Sequence, residues 1–283
     1  MSNVFLHLPP GWIQGDFAKI GEIEHEKEVH IYIDQMPKDP IGDNIFRIIS
    51  ILEPFESLKN SMLDYFNNHK DCYSYIFTYH QDILDLFENS IVSVTPTTWV
   101  RGYEPVSKEF NVSSVFGNKH LSLYLPGLEG YHVRWELFTR REEISMNKKF
   151  YLSSSSPIEE VNYGDHLVLG DTKTPMFDSQ FHVAIENTNR ISNAFSEKLI
   201  DCFQTRTVPI YYGPTNIGDF FNSKGIFLAN SASEIIDICN RLDENTYASL
   251  SEAIEENYRL SMNYRSLDET MILNVKKALG IEI

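Results

Sequence analysis

Residues 181–221 read FHVAIENTNRISNAFSEKLIDCFQTRTVPIYYGPTNIGDFF, and this stretch decides the fold. FHVAIEN (181–187) has the apolar run of a strand, ending in polar residues. Phe195 to Gln204 carries helical spacing, and TVPIYYG (207–213) is a second β-rich run. Strand, helix and strand in that order form the unit of a parallel α/β sheet. Glu186 and Asn187 fall where the first strand ends, so their side chains emerge at the carboxyl edge of the sheet. Ser196, Glu197 and Lys198 open the helix, where backbone N–H groups, a hydroxyl and an ammonium suit an anion. The same residues also fit a plainer pattern, in which Ser196 caps the helix while Glu197 and Lys198 face water. Gly213–Pro214 closes the second strand with a turn that lets backbone approach whatever the edge holds.

The same alternation extends outward along the chain. EVHIYID (28–34) and IFRIISILEP (45–54) read as strands separated by the turn-rich PKDPIGDN, the second a nearly continuous apolar run. From Ser57 to Asn68, helical spacing puts Leu58, Met62, Tyr65 and Phe66 on one side. SYIFTY (74–79), the helical HQDILDLFENS and the apolar IVSVTP complete a β-α-β series. A second series starts with HLSLYL (120–125) as a strand and Val133 to Arg141 as a helix. FYLSS, HLVLG and GIFLA are its further strands, and the chain is helical almost throughout from Ser233. Periodicity breaks in EPVSKEFNVSSVFGN (104–118), which places two Rossmann-like α/β domains at 1–112 and 113–283, the second with C-terminal helices. Nucleotides are expected in a cleft between such domains, at the carboxyl ends of parallel strands.

Composition narrows the function. With 24 Lys and Arg against 40 Asp and Glu, the formal net charge is -16, a field that argues against nucleic acid or anionic lipid as partner. Any site for a phosphorylated molecule must therefore concentrate its few cations locally. The three cysteines, Cys72, Cys202 and Cys239, lack metal-like spacing and read as reduced thiols. The N-terminal MSNVFLHLPPGWIQGD has no signal-peptide pattern, and no run approaches the ~20 apolar residues of a membrane span, so the cytoplasm is the expected location. Asp-x-Asp, P-loop, Gly-x-Gly-x-x-Gly, Gly-x-Ser-x-Gly and HExxH motifs are all absent.

The opening stretch also resembles the signature of the family 10 glycosyltransferases, the α-1,3-fucosyltransferases. The matching residues are Ile185-Glu186-Asn187-Thr188, Ser196-Glu197-Lys198-Leu199, Val208-Pro209-Ile210 and Gly213-Pro214, in the family's order. Ile185 stands where the family carries Phe, and Asn193-Ala194-Phe195 stands where a tyrosine is common. HLSLYLPGLEGYHVRWELFTR (120–140) is similar to the family's strand and helix bearing a diphosphate-binding arginine, here Arg134. Read without the family, Arg134 is an arginine on an amphipathic helix beside the solvated Arg140 and Arg141. IISILEPFES is similar to the strand that ends in the family's catalytic base, which places that role on Glu53, with Glu56 the nearby competitor.

The resemblance implies a GT-B enzyme that transfers fucose from GDP-fucose to a glycan hydroxyl, with inversion and without metal. No cofactor beyond the donor, GDP-fucose or a related nucleotide sugar, is implied. Arg134 and Lys198 would hold the diphosphate, and Glu197 would take the ribose. Asn187 and Ser196 would complete the polar lining. Glu186 would stabilise or orient the sugar, and Glu53 would deprotonate the acceptor. Acceptor contacts are expected from loops such as TPTTWVRGYEP, where Trp99 and Tyr103 either stack on a sugar or pack in the core. A GT-B transferase with another donor, or a non-catalytic binder of the same fold, fits the same residues. His132 and His182 flank the motifs and receive no role.

Overall fold

The computed structural model describes residues 1–9, 17–52, 56–104, 106–117, 128–153, 167–168 and 172–282. They form two compact units: Met1–Thr95 with Ile191–Ala194 and Ser266–Ile283, and Pro96–Arg190 with Phe195–Arg265.

The first unit holds a six-stranded sheet. Its strands are β1 (Ser2–His7), β2 (Phe17–Ile23), β3 (Glu28–Ile33), β4 (Ile45–Ser50), β5 (Tyr75–Thr78) and β6 (Ser90–Val92), in the order β2-β1-β3-β4-β5-β6. All neighbours are parallel except the edge pair β1–β2. α1 (Glu56–Asn68) and α2 (Gln81–Leu86) cover one face, burying Met62, Phe66 and Ile83 against Ile49, Ile51 and Ile76. β1 and β2 were not evident in the sequence. The alternation of Val4 and Leu6 in β1 with Leu8 just beyond it, all buried, is interrupted by polar and aromatic residues that stay half-exposed.

The second unit contains β7 (Glu109–Phe116), β8 (Lys148–Leu152), β9 (Leu167–Val168), β10 (Ser179–Ile185), β11 (Val208–Tyr212) and β12 (Phe227–Leu228). Its order is β12-β11-β10-β7-β8-β9, and every neighbouring pair is parallel. The chain therefore lays strands outward from β7 on one side, returns, and continues from β10 on the other, which is the Rossmann strand order. α3 (Gly130–Thr139), α4 (Glu197–Gln204), α5 (Ala232–Arg241), α6 (Thr246–Ser249) and α7 (Ser251–Ser261) belong to this unit. Phe116, Leu137, Phe181, Val183, Ile210 and Ile235 lie in one buried cluster.

The units do not divide at 112/113 as the sequence suggested. β7 runs through the supposed break and lies at the middle of the second sheet. Its buried Asn111, Ser113 and Ser114 hide the strand from a hydrophobic reading. The two serines are tolerated because their hydroxyls are bonded: Ser113 Oγ donates to Met176 O at 2.7 Å and Ser114 Oγ to Val183 O at 3.1 Å. The strand expected at 120–125 lies outside the described residues. The C-terminal helix α8 (Leu267–Leu279) belongs to the first unit, not the second. Its Met271 and Val275 are fully buried with Val4, Leu6, Ile31 and Ile48, and Asn274 Nδ2 donates to Ser93 Oγ at 2.8 Å. Among the described residues no helix is long and apolar enough to cross a membrane.

Met271→Ala tests that assignment. Emptying this site should lower stability by about 2–5 kcal/mol in denaturant unfolding. An unchanged midpoint would mean that α8 is not part of the first core.

Candidate active site

Between β7 and β10 the second sheet reverses its strand order, the place where a ligand crevice opens at the carboxyl ends of such strands. Glu186 follows β10 at that edge, its N–H bonded to Tyr212 O at 2.8 Å. Its side chain is buried, with both oxygens engaged. Oε1 accepts from the Ser196 N–H at 2.9 Å and from the Tyr211 hydroxyl at 3.3 Å. Oε2 accepts from the Ser196 hydroxyl at 2.7 Å and lies 3.5 Å from Lys198 Nζ.

Ser196 is the N-cap of α4, its Oγ accepting from the Lys198 N–H at 3.4 Å and from Lys198 Nζ at 3.0 Å. The plainer pattern thus holds for Ser196 alone. Glu197 and Lys198 are not given over to water, with side chains only 20% and 27% exposed. Lys198 Nζ donates to Glu197 Oε1 at 3.4 Å, and Lys173 Nζ lies 3.7 Å from the same oxygen. Burial alone would raise the Glu197 carboxyl, but Lys198 and Lys173 reverse that and hold it at about 2. Burial disfavours the Lys198 ammonium, yet Glu186 and Glu197 outweigh it and push its pKa above the usual lysine value.

Arg134 reaches the same edge from α3 and is buried, not a surface arginine. Its guanidinium donates to Ile185 O and, at 3.0 Å, to Asn187 Oδ1, and it stacks 4.5 Å from the Tyr131 ring centroid. Burial lowers its pKa, with Tyr131 and Glu186 offsetting part of the effect, and it remains a cation. α3 comes this close because it begins with glycine. A Cβ on Gly130 would stand 1.8 Å from Glu186 O, and the Gly130 N–H donates to Asn187 O at 2.8 Å. Arg140, by contrast, is partly exposed and pairs with Glu136 and Glu143 at 2.7 and 2.8 Å, as expected for a solvated arginine.

Six sequence candidates therefore meet in one network: Arg134, Glu186, Asn187, Ser196, Glu197 and Lys198. Glu53 and the Glu56 side chain lie outside what is described. Of the two unassigned histidines, His132 is exposed, while burial, with Lys173 and Lys108 nearby, holds the buried His182 neutral at a pKa of about 3. Tyr103 is tied inward, its hydroxyl donating to Phe177 O at 2.9 Å, whereas Trp99 is 65% exposed. Sequence reading missed Tyr211, Lys173 and Asp201. The first sits within the strand that had been recognised, and its value lies only in the hydroxyl reaching Glu186. Lys173 comes from GDTKTPMF, which carries no motif. Chemically, the cluster sets cations, a hydroxyl and a helix N-terminus against carboxylates, an arrangement that can take up a phosphate anion and bind neighbouring hydroxyls.

Neither a protein-family model nor a curated protein sequence matches the chain. Solved structures do. An α1,3-fucosyltransferase structure with GDP aligns with a TM-score of 0.51 and 13% identity, covering 88% of this chain and 77% of that one. An α1,3-fucosyltransferase structure with GDP-fucose gives 0.50 and 15%, with 90% and 78% covered. The trehalose-6-phosphate synthase OtsA gives 0.58 and 9%, with 91% and 73% covered. At these identities what is shared is the fold, and the chain has the GT-B fold of two Rossmann-like domains.

Glu197 provides a pH test. Its folded pKa is depressed from 4.5 to about 2, so its contribution to stability is present above 4.5 and lost as the pH falls toward 2. The unmodified protein should therefore lose stability more steeply over that window than Glu197→Gln. Parallel curves would show that Glu197 titrates alike folded and unfolded.

Proposed function

We propose that the protein is a glycosyltransferase that binds a nucleotide-sugar donor at the Arg134–Lys198 edge of its second unit. The observation that carries this is the convergence of two partly or fully buried cations on the carboxyl end of β10, beside the strand-order reversal. In so acidic a chain, cations held at such an edge and wired to carboxylates fit recognition of a phosphorylated ligand. The GT-B fold supports the same reading.

In this reading Arg134 and Lys198 offset the charge that develops on the departing nucleoside diphosphate, without a metal. Glu197, kept ionised, accepts from the ribose hydroxyls, and Asn187 and Ser196 hold the cations and complete the lining. Glu186 acts through Ser196 and Lys198, because its oxygens are taken up by them and by Tyr211. The donor is proposed to be GDP-fucose and the acceptor a glycan hydroxyl, with inversion through direct displacement. Glu53 is proposed as the base on the resemblance alone.

Calorimetric titration with GDP-, UDP- and dTDP-sugars, followed by turnover assays, separates the donors and the binding-only case. Arg134→Ala and Lys198→Ala should each weaken binding of the preferred donor by about 1.5–3 kcal/mol, the range for hydrogen bonds to charged groups. Folded variants that bind as tightly as the parent would remove the phosphate assignment. Glu53→Gln should leave donor affinity nearly unchanged while turnover falls about 10²–10⁴-fold, with the Glu56→Gln control close to normal. Normal turnover in both would place the base elsewhere.

A further inference from the structure

Beyond the residues that the motif supplies, the site contains a second ammonium, Lys173, just ahead of the 3-10 turn Thr174–Asp178. Its Nζ donates to Asp201 Oδ2 at 3.0 Å, lies 3.7 Å from Glu197 Oε1, and sits 4.5 Å from the centroid of the Trp99 ring. Asp201 is fully buried, and its other oxygen accepts from the Thr98 hydroxyl and the Trp99 N–H, both at 2.8 Å. Lys173 is therefore held between two carboxylates and an aromatic face, with a side chain 16% exposed. Lys198 is more open and is shared among Glu186, Glu197 and Ser196.

This contrast has a consequence when an anion arrives. A diphosphate competes with Glu186 and Glu197 for Lys198, and a lysine ammonium is a mobile point charge that follows the stronger anion. Glu197 would then lose its nearest counter-charge just as it must accept hydrogen bonds from the ribose. A buried carboxylate left without a cation takes up a proton and becomes a poorer acceptor. Lys173 is anchored by Asp201 and cannot follow the phosphates as readily.

We propose that Lys173 is a positioning residue of the donor site: it stays paired to Glu197 when the diphosphate draws Lys198 away, and so keeps Glu197 ionised and aimed at the nucleoside. This rests on the donor-site reading given above and assigns a division of labour within it. Lys198 serves the phosphates and Lys173 serves the carboxylate that meets the ribose. The charged and titratable groups that bear on Glu197 are Lys198 from its own helix, Lys173, Arg134 from α3 and Tyr211 from β11.

The reference is the unmodified protein, in which Asp201 holds Lys173 in place. Because Lys173→Met leaves Asp201 buried without its cation, folding of each variant is checked by denaturant unfolding, and Lys173→Met with Asp201→Asn, which removes that carboxylate as well, is the second variant. Two probes are titrated, GDP and inorganic pyrophosphate, the second lacking a ribose. Lys173→Met, alone or with Asp201→Asn, should weaken GDP by about tenfold, on the order of one charge-assisted hydrogen bond, and leave pyrophosphate unchanged. The loss should deepen as pH falls through about 4–5, the ordinary carboxylate range. Lys173→Arg should retain GDP affinity. Equal weakening of GDP and pyrophosphate would show that Lys173 is a phosphate ligand and overturn the proposal, as would unchanged GDP affinity. If the unmodified protein binds neither GDP nor another nucleoside diphosphate, the donor-site reading fails and this proposal falls with it.

Discussion

The Glu186 carboxylate joins the end of β10 to the start of α4, and the arrangement of the site follows from how that buried charge is satisfied. A carboxylate removed from water costs several kcal/mol unless cations and hydrogen-bond donors replace its hydration. Here the replacements are the Ser196 N–H and hydroxyl, the Tyr211 hydroxyl and the Lys198 ammonium. Those bonds fix where α4 begins, and α4 in turn carries Glu197, Lys198 and Asp201. On the other side, Gly130 admits α3 to van der Waals contact with the Glu186 backbone, which brings Arg134 onto Ile185 O and Asn187. One residue at the strand end, through its carboxylate on one side and its backbone on the other, thus helps set the positions of cations drawn from two helices.

Net charge and local charge carry opposite messages. The chain as a whole is strongly acidic, yet at this edge Arg134, Lys198 and Lys173 alternate with Glu186, Glu197 and Asp201. Alternation holds the Glu197 carboxyl low and the Lys198 ammonium high, whereas burial raises the Asp201 carboxyl despite its Lys173 partner. Alternation also leaves the cluster without excess charge of either sign, so in the proposed donor site an incoming anion would be taken up by exchange of partners. Exchange of this kind favours a ligand that presents both phosphates and hydroxyls over phosphate alone.

The β10–α4–β11 unit was legible because its apolar runs, cap residue and Gly-Pro turn all act locally. Ser196, Glu197 and Lys198 were found for the same reason, and Arg134 through the resemblance of its helix. What escaped depends on long-range contacts. β7 carries buried serines whose partners, Met176 and Val183, lie some sixty residues away, so hydrophobic patterning took the strand for a linker. α8 looks like its helical neighbours in sequence, and only the burial of Met271 and Val275 beneath the first sheet shows its allegiance. Lys173 gains its meaning from Asp201 and Glu197 on another element, and no spacing rule announces such a pairing.

In the proposed donor site a nucleotide sugar engages the end of β10 and the starts of α3 and α4 together. Amide hydrogen exchange, with and without saturating GDP-fucose or UDP-glucose, addresses this directly. Exchange should slow at 130–135, 186–187 and 196–199, with the greater protection for the true donor and little change in α8. Protection confined to the first unit, or none with any nucleotide sugar, would contradict it.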